Sequence, residues 1–558
     1  MIETNNPTFS VASTAYAPPS AWQPRVLREV LDATTEARGG ADALVTDRKR
    51  FNYEQIRGAA WARARSLHAL GIRKGDHVGI LMGNNAAWVS LFWGAALIGA
   101  VTVPVNTRFK SAELGFCLKQ ADVKALFLED RFLGIDFVSF LREAEPAVGD
   151  KLPGANLPLL KHVVVMGNDV PKGALHWKSQ FKPLEKQVDE AQFQAAVQAV
   201  TPDDLLLIQF TSGTTAYPKG VMLTHTNMLR NAWAAGQRLG VVAEDRYFNC
   251  RPFYHVAGTT LSLLVALTYG CALVTLPTFE AGAALKLMDE ERCTLTSGND
   301  TLFQLMMSHE TFDPEKVHLR GGWVAAGPQT VRRIIDLMGA KAICVAYGLS
   351  EASPNVVLSD WREPEELRVG GLPLPHPGVE VRIADEACRA LPANVQGEIQ
   401  VRGWNVMKGY YNNPEATAKT FTADGWLRTG DLGTLNEEGR LAMIGRLKDV
   451  FRVGGENVAP AEVEEVLLAH PAVATSQVIG VPDARLGEVP AAYVTLKAGE
   501  AAQPDELIAW CKARCANFRV PRYLRVVESF EAIGMTGSGK VQKNKLREYA
   551  LGDFGLKA

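Results

Sequence analysis

The segment LLLIQFTSGTTAYPKG (Leu205–Gly220) joins an apolar run directly to a loop of glycine, hydroxyl and lysine residues. The run LLLIQF predicts a buried strand, and the loop TSGTTAYPKG follows at its carboxyl end. Backbone N–H groups, hydroxyls and the Lys219 ammonium would then face one point, as a chain of phosphates requires. The loop is not a Walker A sequence, because Lys219 stands between Pro218 and Gly220. A plain turn of serine, threonine and glycine explains this segment equally well by itself.

The composition of the chain is that of a globular enzyme with more than one domain. Its 558 residues exceed what one hydrophobic core usually supports. Apolar residues make up 47% and charged residues 22%, which excludes the disordered and fibrous classes. With 59 basic and 61 acidic side chains the formal net charge is -2, so no nucleic-acid partner is expected. Any anionic ligand must therefore be bound by a local cluster of charge.

The distribution of cysteines and apolar runs predicts a cytoplasmic protein without transmembrane segments. The eight cysteines are scattered and indicate reduced thiols. Residues 1–24 indicate a flexible lead, because they lack the basic and apolar regions of a secretory signal. The apolar runs 88–106 and 258–276 contain glycines and change midway to β-branched segments. We interpret each as a buried helix followed by a buried strand rather than as a membrane span.

Short apolar strands alternate with helical segments over most of the chain, as around DHVGILMGN, KALFLED, KHVVVMG and AICVAYG. This alternation predicts an α/β fold with largely parallel sheets that are covered on both faces. From about residue 370 the segments VEVRIAD, GEIQVRG and GRLAMIGR predict a small antiparallel or barrel-like unit that ends near residue 445. Residues 450–558 again alternate helices and strands, and they predict a second, α+β domain.

Four further segments indicate what the glycine- and hydroxyl-rich loop binds. They are YGLSE (Tyr347–Glu351), GWLRTGDLG (Gly425–Gly433), GRLKDVFRVGGENVAPAEVE (Gly445–Glu464) and GSGKVQKNKL (Gly537–Leu546). Together with TSGTTAYPKG, and in this order, they resemble the signature sequences of the adenylate-forming superfamily of acyl-CoA synthetases, luciferases and peptide-synthetase adenylation domains. The resemblance covers the chain from about residue 25 onward.

The resemblance implies a particular domain organisation. A large N-terminal adenylation domain would span residues 25–445, with the β-barrel-like unit at about 370–445. Residues 446–449, which contain Lys448, would form a hinge. Residues 450–558 would form a mobile C-terminal domain.

The resemblance also implies an ATP site. Lys219 and the loop hydroxyls would bind the β- and γ-phosphates, Tyr347 would stack on the purine, and Asp431 would accept the ribose hydroxyls. From the residues alone, an aromatic side chain in the core and a local turn cap explain Tyr347 and Asp431 as well. Arg446 would add a donor to the same ribose. The residues implied to bind ATP are Thr211, Ser212, Gly213, Thr214, Thr215, Lys219, Tyr347, Gly348, Ser350, Asp431, Arg446 and Lys540.

Three of the charged residues are the implied catalytic groups. Glu351 would supply a carboxylate oxygen for Mg²⁺. Lys540 would meet the substrate carboxylate and the α-phosphate, and Lys219 would meet the departing phosphates. Adenylation pushes two anions together, so we expect catalysis by positioning and electrostatic stabilisation without a protein nucleophile.

The thiol and acyl sites follow less directly from the resemblance. Gly454 and Gly455 would let the pantetheine arm of coenzyme A approach the backbone, and His255 is either near the thiol channel or an ordinary buried histidine. The sequence departs from the family pattern in several places: Ala216 replaces a glycine of the loop, and Asn299–Asp300 replaces a hydrophobic segment with proline. Ser350 stands where threonine is commoner, and Gly534 stands where the family often has proline. The implied acyl pocket comprises His255, Val256, Gly258, Asn299 and Gly327.

These expectations define an AMP-forming carboxylic acid:CoA ligase that uses ATP, Mg²⁺ and coenzyme A. It would make an acyl-adenylate and pyrophosphate, and then an acyl-CoA and AMP. A medium-chain, alicyclic or aromatic acid is the expected substrate. The alternatives are an enzyme that loads a carrier-protein thiol and a nucleotide sensor without turnover; a luciferase would share every one of these segments. Assembly as a homodimer is left open.

Overall fold

The computed structural model describes residues 16–211, 218–535 and 540–556. Most of the chain forms the predicted α/β architecture, with two mostly parallel sheets whose side chains join one hydrophobic core. Helices lie between the sheets and also on their outer faces, where two further apolar clusters form. The prediction of parallel sheets covered on both faces is therefore confirmed.

The first sheet has seven strands and carries the loop that opened the sequence analysis. In spatial order its strands are Gly220–Thr224, Leu205–Phe210, Val101–Pro104, His77–Leu81, Val123–Glu129, His162–Met166 and Leu175–His176. Leu205–Phe210 pairs antiparallel with Gly220–Thr224, and the remaining pairs are parallel. The loop thus joins two antiparallel strands, and the Thr211 N–H donates to the Lys219 carbonyl across its base at 3.0 Å.

The second sheet has eight strands and ends at the predicted purine site. In spatial order its strands are Asn355–Leu358, Ala342–Gly348, Gly321–Ala325, Leu295–Asn299, Arg246–Asn249, Ala272–Thr275, Asp42–Thr46 and Arg50–Asn52. Only the two edge strands pair antiparallel with their neighbours. The carboxyl ends of the inner strands therefore share one edge, where α/β folds bind ligands.

The α-helices of the large domain fill the layers around both sheets. They are Leu27–Arg38, Tyr53–Ala69, Ala86–Leu97, Ser111–Gln120, Phe137–Ala144, Glu190–Gln198, His225–Leu239, Val256–Gly258, Val265–Tyr269, Ala281–Glu290, Asp300–Met307, Pro328–Met338, Glu365–Val369 and Pro414–Thr420. Short 3-10 turns occupy Pro146–Gly149, Lys182–Lys186, Pro314–Lys316 and Ser350–Ala352, and π-helical turns occupy Trp177–Phe181 and Thr259–Leu264. A two-stranded ribbon pairs Arg131–Phe132 with Ile135–Asp136.

Both strongly apolar runs are buried helices followed by strands, as predicted. Ala86–Leu97 leads into Val101–Pro104, and the second run passes through a π-helical turn and a short helix into Ala272–Thr275. Tyr53 ties the second run to the core, because its hydroxyl donates to the carbonyls of Ala266 and Cys271 at 2.9 and 2.8 Å. Within the described residues no helix is both long enough and apolar enough to span a membrane.

The β-rich unit forms an open antiparallel sheet rather than a closed barrel. Its strands follow the order Val379–Ala384, Gly397–Gly403, Leu427–Leu435 and Leu441–Arg446, so the first and last strands are separate edges. A 3-10 turn at Leu447–Asp449 follows the last strand and leads into a different sheet.

The C-terminal part has its own sheet, helices and apolar cluster. Its strands are Phe451–Val453, Glu456–Val458, Val473–Asp483, Gly487–Leu496 and Tyr523–Val526, and its helices are Pro460–Leu468, Pro504–Lys512, Glu531–Gly534 and Lys543–Asp553, with a 3-10 turn at Asn517–Arg519. The α+β domain expected after residue 450 is present. Its helix Pro460–Leu468 packs against the helix Pro328–Met338 of the large domain.

Of the predicted lead, residues 16–24 lie within the described part of the chain. Trp22 packs against Trp233, with 6.1 Å between the ring centroids, and the Trp233 indole N–H donates to the Pro19 carbonyl at 2.9 Å. This part of the lead therefore packs on the helix His225–Leu239.

Candidate active site

A cavity of about 570 Å³ opens at the carboxyl ends of the second sheet. Side chains from the large domain, the open antiparallel sheet and the C-terminal domain all line it. The predicted site residues on its wall are Thr211, Lys219, His255, Val256, Asn299, Tyr347, Gly348, Ser350, Glu351, Asp431, Arg446, Lys448 and Lys540. Residues separated by more than three hundred positions in the sequence thus meet in one space. The loop residues Ser212, Gly213, Thr214, Thr215 and Ala216 lie outside the described part of the chain.

Glu351, Tyr410 and Lys219 form one corner of the cavity. The Tyr410 hydroxyl donates to Glu351 Oε1 at 2.8 Å, and Lys219 Nζ lies 4.8 Å from the centre of the Tyr410 ring. Burial raises the pKa of Tyr410, and so does the adjacent Glu351 carboxylate, so the phenol stays a donor. Tyr410 therefore orients one oxygen of Glu351 and gives the Lys219 ammonium an aromatic face. Sequence reasoning missed Tyr410; the only local signal was an aromatic pair between Gly409 and Asn412.

Asp431, Tyr347 and Arg446 form a second corner. The Tyr347 hydroxyl donates to Asp431 Oδ2 at 2.8 Å, and Arg446 Nε lies 3.5 Å from Asp431 Oδ1. Antiparallel pairing of the strands Leu427–Leu435 and Leu441–Arg446 places Asp431 directly opposite Arg446. Burial raises the pKa of Asp431, although Arg446, Tyr347 and Lys540 act in the opposite direction. Each carboxylate oxygen thus has a donor close by, which fixes the orientation of the group predicted to accept ribose hydroxyls.

Lys540 lies in the cavity within reach of several other charges. Its side chain is exposed to solvent and lines the cavity. Desolvation, Arg446 and Arg251 lower the pKa of Lys540 to about 8, and Asp431 opposes them. A lowered lysine pKa among other cations indicates a cluster of positive charge that an anionic ligand would balance.

His255 lies on the cavity wall and begins a short helix. Its Nδ1 accepts the Ala257 N–H at 3.2 Å, which leaves the proton of the neutral ring on Nε2. Burial, Arg251 and Lys540 lower its pKa to about 3. The imidazole is therefore neutral at physiological pH, and one of its nitrogens already has a structural role.

The glycines assigned to the acyl and CoA sites lie outside the cavity wall. A Cβ on Gly258 would come within 2.3 Å of the Pro252 carbonyl oxygen, and a Cβ on Gly327 would come within 1.7 Å of Glu465 Oε1. Gly258 thus serves local packing, and Gly327 lets the C-terminal domain approach. Gly454 and Gly455 have φ angles of 59° and 98° in an exposed hairpin turn, conformations that favour glycine.

The departure at Asn299–Asp300 has a structural explanation. Asn299 lines the cavity, and its Oδ1 accepts the Leu302 N–H at 3.0 Å, which caps the next helix. Asp300 accepts hydrogen bonds from Gln304 Nε2 and from the Thr330 hydroxyl, and burial raises its pKa. The polar pair therefore stabilises the helix Asp300–Met307, and only Asn299 faces the cavity.

Comparison with known proteins shows the family to which the chain belongs. A family model described as AMP-binding enzyme matches residues 31–411, and one described as AMP-binding enzyme C-terminal domain matches residues 462–540. A CoA ligase of Rhodococcus jostii (strain RHA1) is 36% identical over 531 residues, which cover 94% of this chain and 99% of that protein. The acyl group in its name is a propanoyl chain that carries a methyl-dioxo-octahydroindenyl ring system. The mitochondrial medium-chain acyl-CoA ligase ACSF2 of Mus musculus is 34% identical over 536 residues, 93% of this chain and 86% of that protein. The crystal structure of the anthranilate CoA ligase AuaEII in complex with anthranoyl-AMP has a TM-score of 0.83 and 25% identity, and covers 96% of this chain and 99% of its own.

The fold and the cavity therefore define an adenylate-forming enzyme. The chain belongs to the AMP-binding enzyme family. Within that family it is an AMP-forming acid:CoA ligase, which confirms the predicted reaction class.

Proposed function

We propose that this enzyme activates a medium-chain, alicyclic or aromatic carboxylic acid, with the roles of the cavity residues as the sequence implied. The observation that carries the proposal is the meeting of four charged groups in one cavity: Lys219, Glu351, Asp431 and Lys540. Each matches one part of the substrates: the terminal phosphates, their metal ion, the ribose and the reacting carboxylate.

In the first step, a carboxylate oxygen of the acid attacks the α-phosphorus of ATP. The bond to the β-phosphate oxygen breaks, and pyrophosphate leaves with the electron pair. Lys540 places positive charge where the two anions meet, Lys219 binds the departing phosphates, and Arg446 adds a donor to the ribose. Such preorganised charges are the main source of catalysis in phosphoryl-type transfers. No side chain forms a covalent bond to the substrate in this scheme.

The donor set at Glu351 fits Mg²⁺. One carboxylate beside the predicted phosphate positions is the usual protein contribution to such a site, since Mg²⁺ retains water and phosphate ligands. The hydrogen bond from Tyr410 fixes Glu351 Oε1 and orients the carboxylate for this role. When bound, Mg²⁺ would neutralise charge on the departing phosphates.

The acyl side of the cavity favours a substrate of moderate size. Apolar atoms of Val256, Ala257, Leu261, Trp323 and Ala346 line this side. An apolar wall of this kind suits a ring or a medium chain. The bicyclic acid in the name of the Rhodococcus ligase and the aromatic acid bound to AuaEII support the same size range.

The second step requires a different placement of the C-terminal domain. The thiol of coenzyme A attacks the acyl carbonyl carbon, AMP leaves, and the thiol proton passes to solvent or buffer. Lys540 stands in the cavity, whereas Gly454 and Gly455 lie in an exposed hairpin outside it. This arrangement supports a division into two domains, residues 25–445 and 450–558, that are joined by a hinge at residues 446–449. It also supports the view that the two domains are placed here as the adenylation step requires. Rotation at Lys448 would withdraw Lys540 and bring the glycine hairpin and the thiol toward His255.

A panel of acids tests the proposal. Medium-chain, alicyclic and aromatic acids are each supplied with ATP, Mg²⁺ and coenzyme A, and AMP, pyrophosphate and thioester are quantified. We expect equal amounts of all three products with at least one of these classes. Release of ADP, or AMP formation that does not depend on coenzyme A, would contradict the proposed reaction.

A further inference from the structure

Arg251 holds a positive charge at the acyl side of the cavity. It follows the strand Arg246–Asn249, and its carbonyl accepts hydrogen bonds from Asn84 Nδ2 at 2.8 Å and Asn249 Nδ2 at 2.7 Å. The residue is only 5% exposed, yet it lines the cavity. Its guanidinium carbon lies 4.3 Å from the centre of the Trp323 ring. Backbone hydrogen bonds and ring stacking together fix where this side chain lies.

The charge of Arg251 has no balancing anion within the described part of the chain. Its Nε and Nη2 atoms are buried and have no hydrogen-bond partner there, and no carboxylate forms an ion pair with it. The acidic groups that act on it are the Cys250 thiol and the Tyr247 phenol. Burial raises the pKa of both, that of Cys250 to about 11, so both are neutral at physiological pH. A buried arginine stays protonated, so an unbalanced charge remains beside the cavity.

The side chains that surround Arg251 are polar but carry no negative charge. Tyr247, Ser297 and Trp323 lie on three neighbouring strands, and Ser297 pairs directly with Trp323. The Tyr247 hydroxyl interacts with the side chains of Ser297 and Trp323, and Tyr247 and Ser297 are fully buried. Of these residues Trp323 lines the cavity beside Arg251, and the groups that act on Arg251 include no carboxylate.

Arg251 lies on the acyl side of the reaction centre. Its charge lowers the pKa of both His255 and Lys540, so all three groups are close. The nucleotide side is marked by Asp431 and Tyr347, which contact each other and not Arg251. A substrate whose reacting carboxylate meets Lys540 would extend past His255 toward Arg251.

We propose that Arg251 is a specificity-determining residue that binds a second carboxylate of the acid substrate, so that the preferred substrate is a dicarboxylic acid activated at one end. This inference rests on the proposed function, because it assumes that the acid lies between Lys540 and Arg251. Arginine presents planar, paired N–H donors that match a carboxylate and neutralise its charge. A substrate with an apolar end leaves the buried charge unpaired, and the enzyme discriminates against it.

Matched acid pairs test the inference. Each pair has the same skeleton with and without a second carboxylate: α,ω-dicarboxylic acids of increasing length against the corresponding monocarboxylic acids, and benzene-1,4-dicarboxylate against benzoate. For the wild-type enzyme we expect kcat/KM to be at least about tenfold higher for the best dicarboxylic acid than for its monocarboxylic partner. Arg251→Met should lower kcat/KM for the dicarboxylic acid by about a hundredfold and leave that for the monocarboxylic acid equal or higher.

Two further variants complete the experiment. Arg230→Met is the matched control, because Arg230 stacks on Trp404 at 4.6 Å outside the cavity wall, and it should leave the preference unchanged. Arg251→Lys keeps the positive charge but removes the paired N–H donors. This variant should still prefer the dicarboxylic acid of each pair, but by a smaller ratio of kcat/KM than the wild-type enzyme.

Specific outcomes overturn the inference. If Arg251→Met folds, as judged by an unchanged unfolding temperature, and loses activity equally with both acids of a pair, then Arg251 serves the reacting carboxylate or the α-phosphate. If Arg251→Met does not fold, the wild-type ranking and Arg251→Lys decide, and a wild-type preference for the monocarboxylic partners refutes the inference. Absence of AMP with every acid instead refutes the proposed function.

Discussion

Glu465 lies at the contact between the two domains and should make that contact depend on pH. Its carboxyl accepts the Gln329 N–H at the start of the helix Pro328–Met338 and lies against Gly327. Burial and the nearby Asp300 raise its pKa from 4.5 to about 7, and Glu464 acts in the same direction. Arg333 interacts with Asp300.

The sign of the pH effect follows from the raised pKa. A group whose pKa is higher in the docked state favours docking most strongly at low pH, when it is protonated in both states. The contact should therefore be strongest below pH 4.5, weaken as the pH rises from 4.5 to about 7, and change little above that. Each unit of pKa difference between the docked and undocked states corresponds to about 1.4 kcal/mol of docking free energy. Because Glu465 is partly exposed, solvent screening reduces this contribution. We therefore expect docking to weaken by about 2 kcal/mol over this pH range, or about thirtyfold in the docking equilibrium.

The substitution Glu465→Gln keeps the shape of the side chain and removes its titration. The domain contact is measured by hydrogen exchange in the helix Pro460–Leu468 and by proteolysis at the turn Leu447–Asp449 over this pH range. After correction for the pH dependence of intrinsic amide exchange, the wild-type enzyme should lose protection as the pH rises, whereas Glu465→Gln should show a much smaller change. Glu500→Gln, which alters an exposed carboxylate of the same domain, should behave as the wild type. An identical pH response in Glu465→Gln and the wild-type enzyme would refute this explanation.

Three further predictions concern the cavity and the hinge. Tyr410→Phe removes a hydrogen bond to a charged carboxylate, so kcat/KM for MgATP should fall about thirtyfold and the apparent Mg²⁺ requirement should rise; an unchanged Mg²⁺ titration would argue against Glu351 as the metal ligand. Lys448→Pro should impair thioester formation from a supplied acyl-adenylate more than adenylation itself, and equal effects on both steps would argue against the hinge. Because the pKa of Lys540 is lowered to about 8, kcat/KM for the acid should fall as the pH rises through that value, and a profile that stays flat there would show that its charge is not needed.

The fold could be predicted from the sequence because its signals are local. The apolar runs, their glycine breaks and their β-branched ends each lie within one continuous segment, so Ala86–Leu97 and Val101–Pro104 were predictable without tertiary information. The π-helical turn at Thr259–Leu264 was not, because its apolar pattern is compatible with an ordinary helix.

The candidate site was predictable only in part, for a similar reason. Residues in ordered signature segments, such as Tyr347 and Asp431, are found from their neighbours in the sequence. Tyr410 was missed because its role depends on a hydrogen bond to Glu351, 59 residues away. Arg251 lies four residues before His255, which the resemblance placed in the acyl pocket, but its unbalanced charge is visible only when burial and the neighbouring side chains are known. Gly327 was expected in the acyl pocket but lies against Glu465 at the contact between the domains, and this position too is visible only in the tertiary structure.

The role of Lys540 is the centre of this account, and the most direct test measures the two half-reactions of Lys540→Ala separately. Pyrophosphate release is followed with acid and MgATP, and thioester formation is followed with acyl-adenylate supplied in place of ATP. Loss of the positive charge that meets both anions should lower adenylation on the order of a thousandfold. Thioester formation should remain close to the wild-type rate, because the proposed rotation at Lys448 withdraws Lys540 from the cavity before that step. An equal loss in both half-reactions would contradict the assignment of Lys540 to the adenylation step.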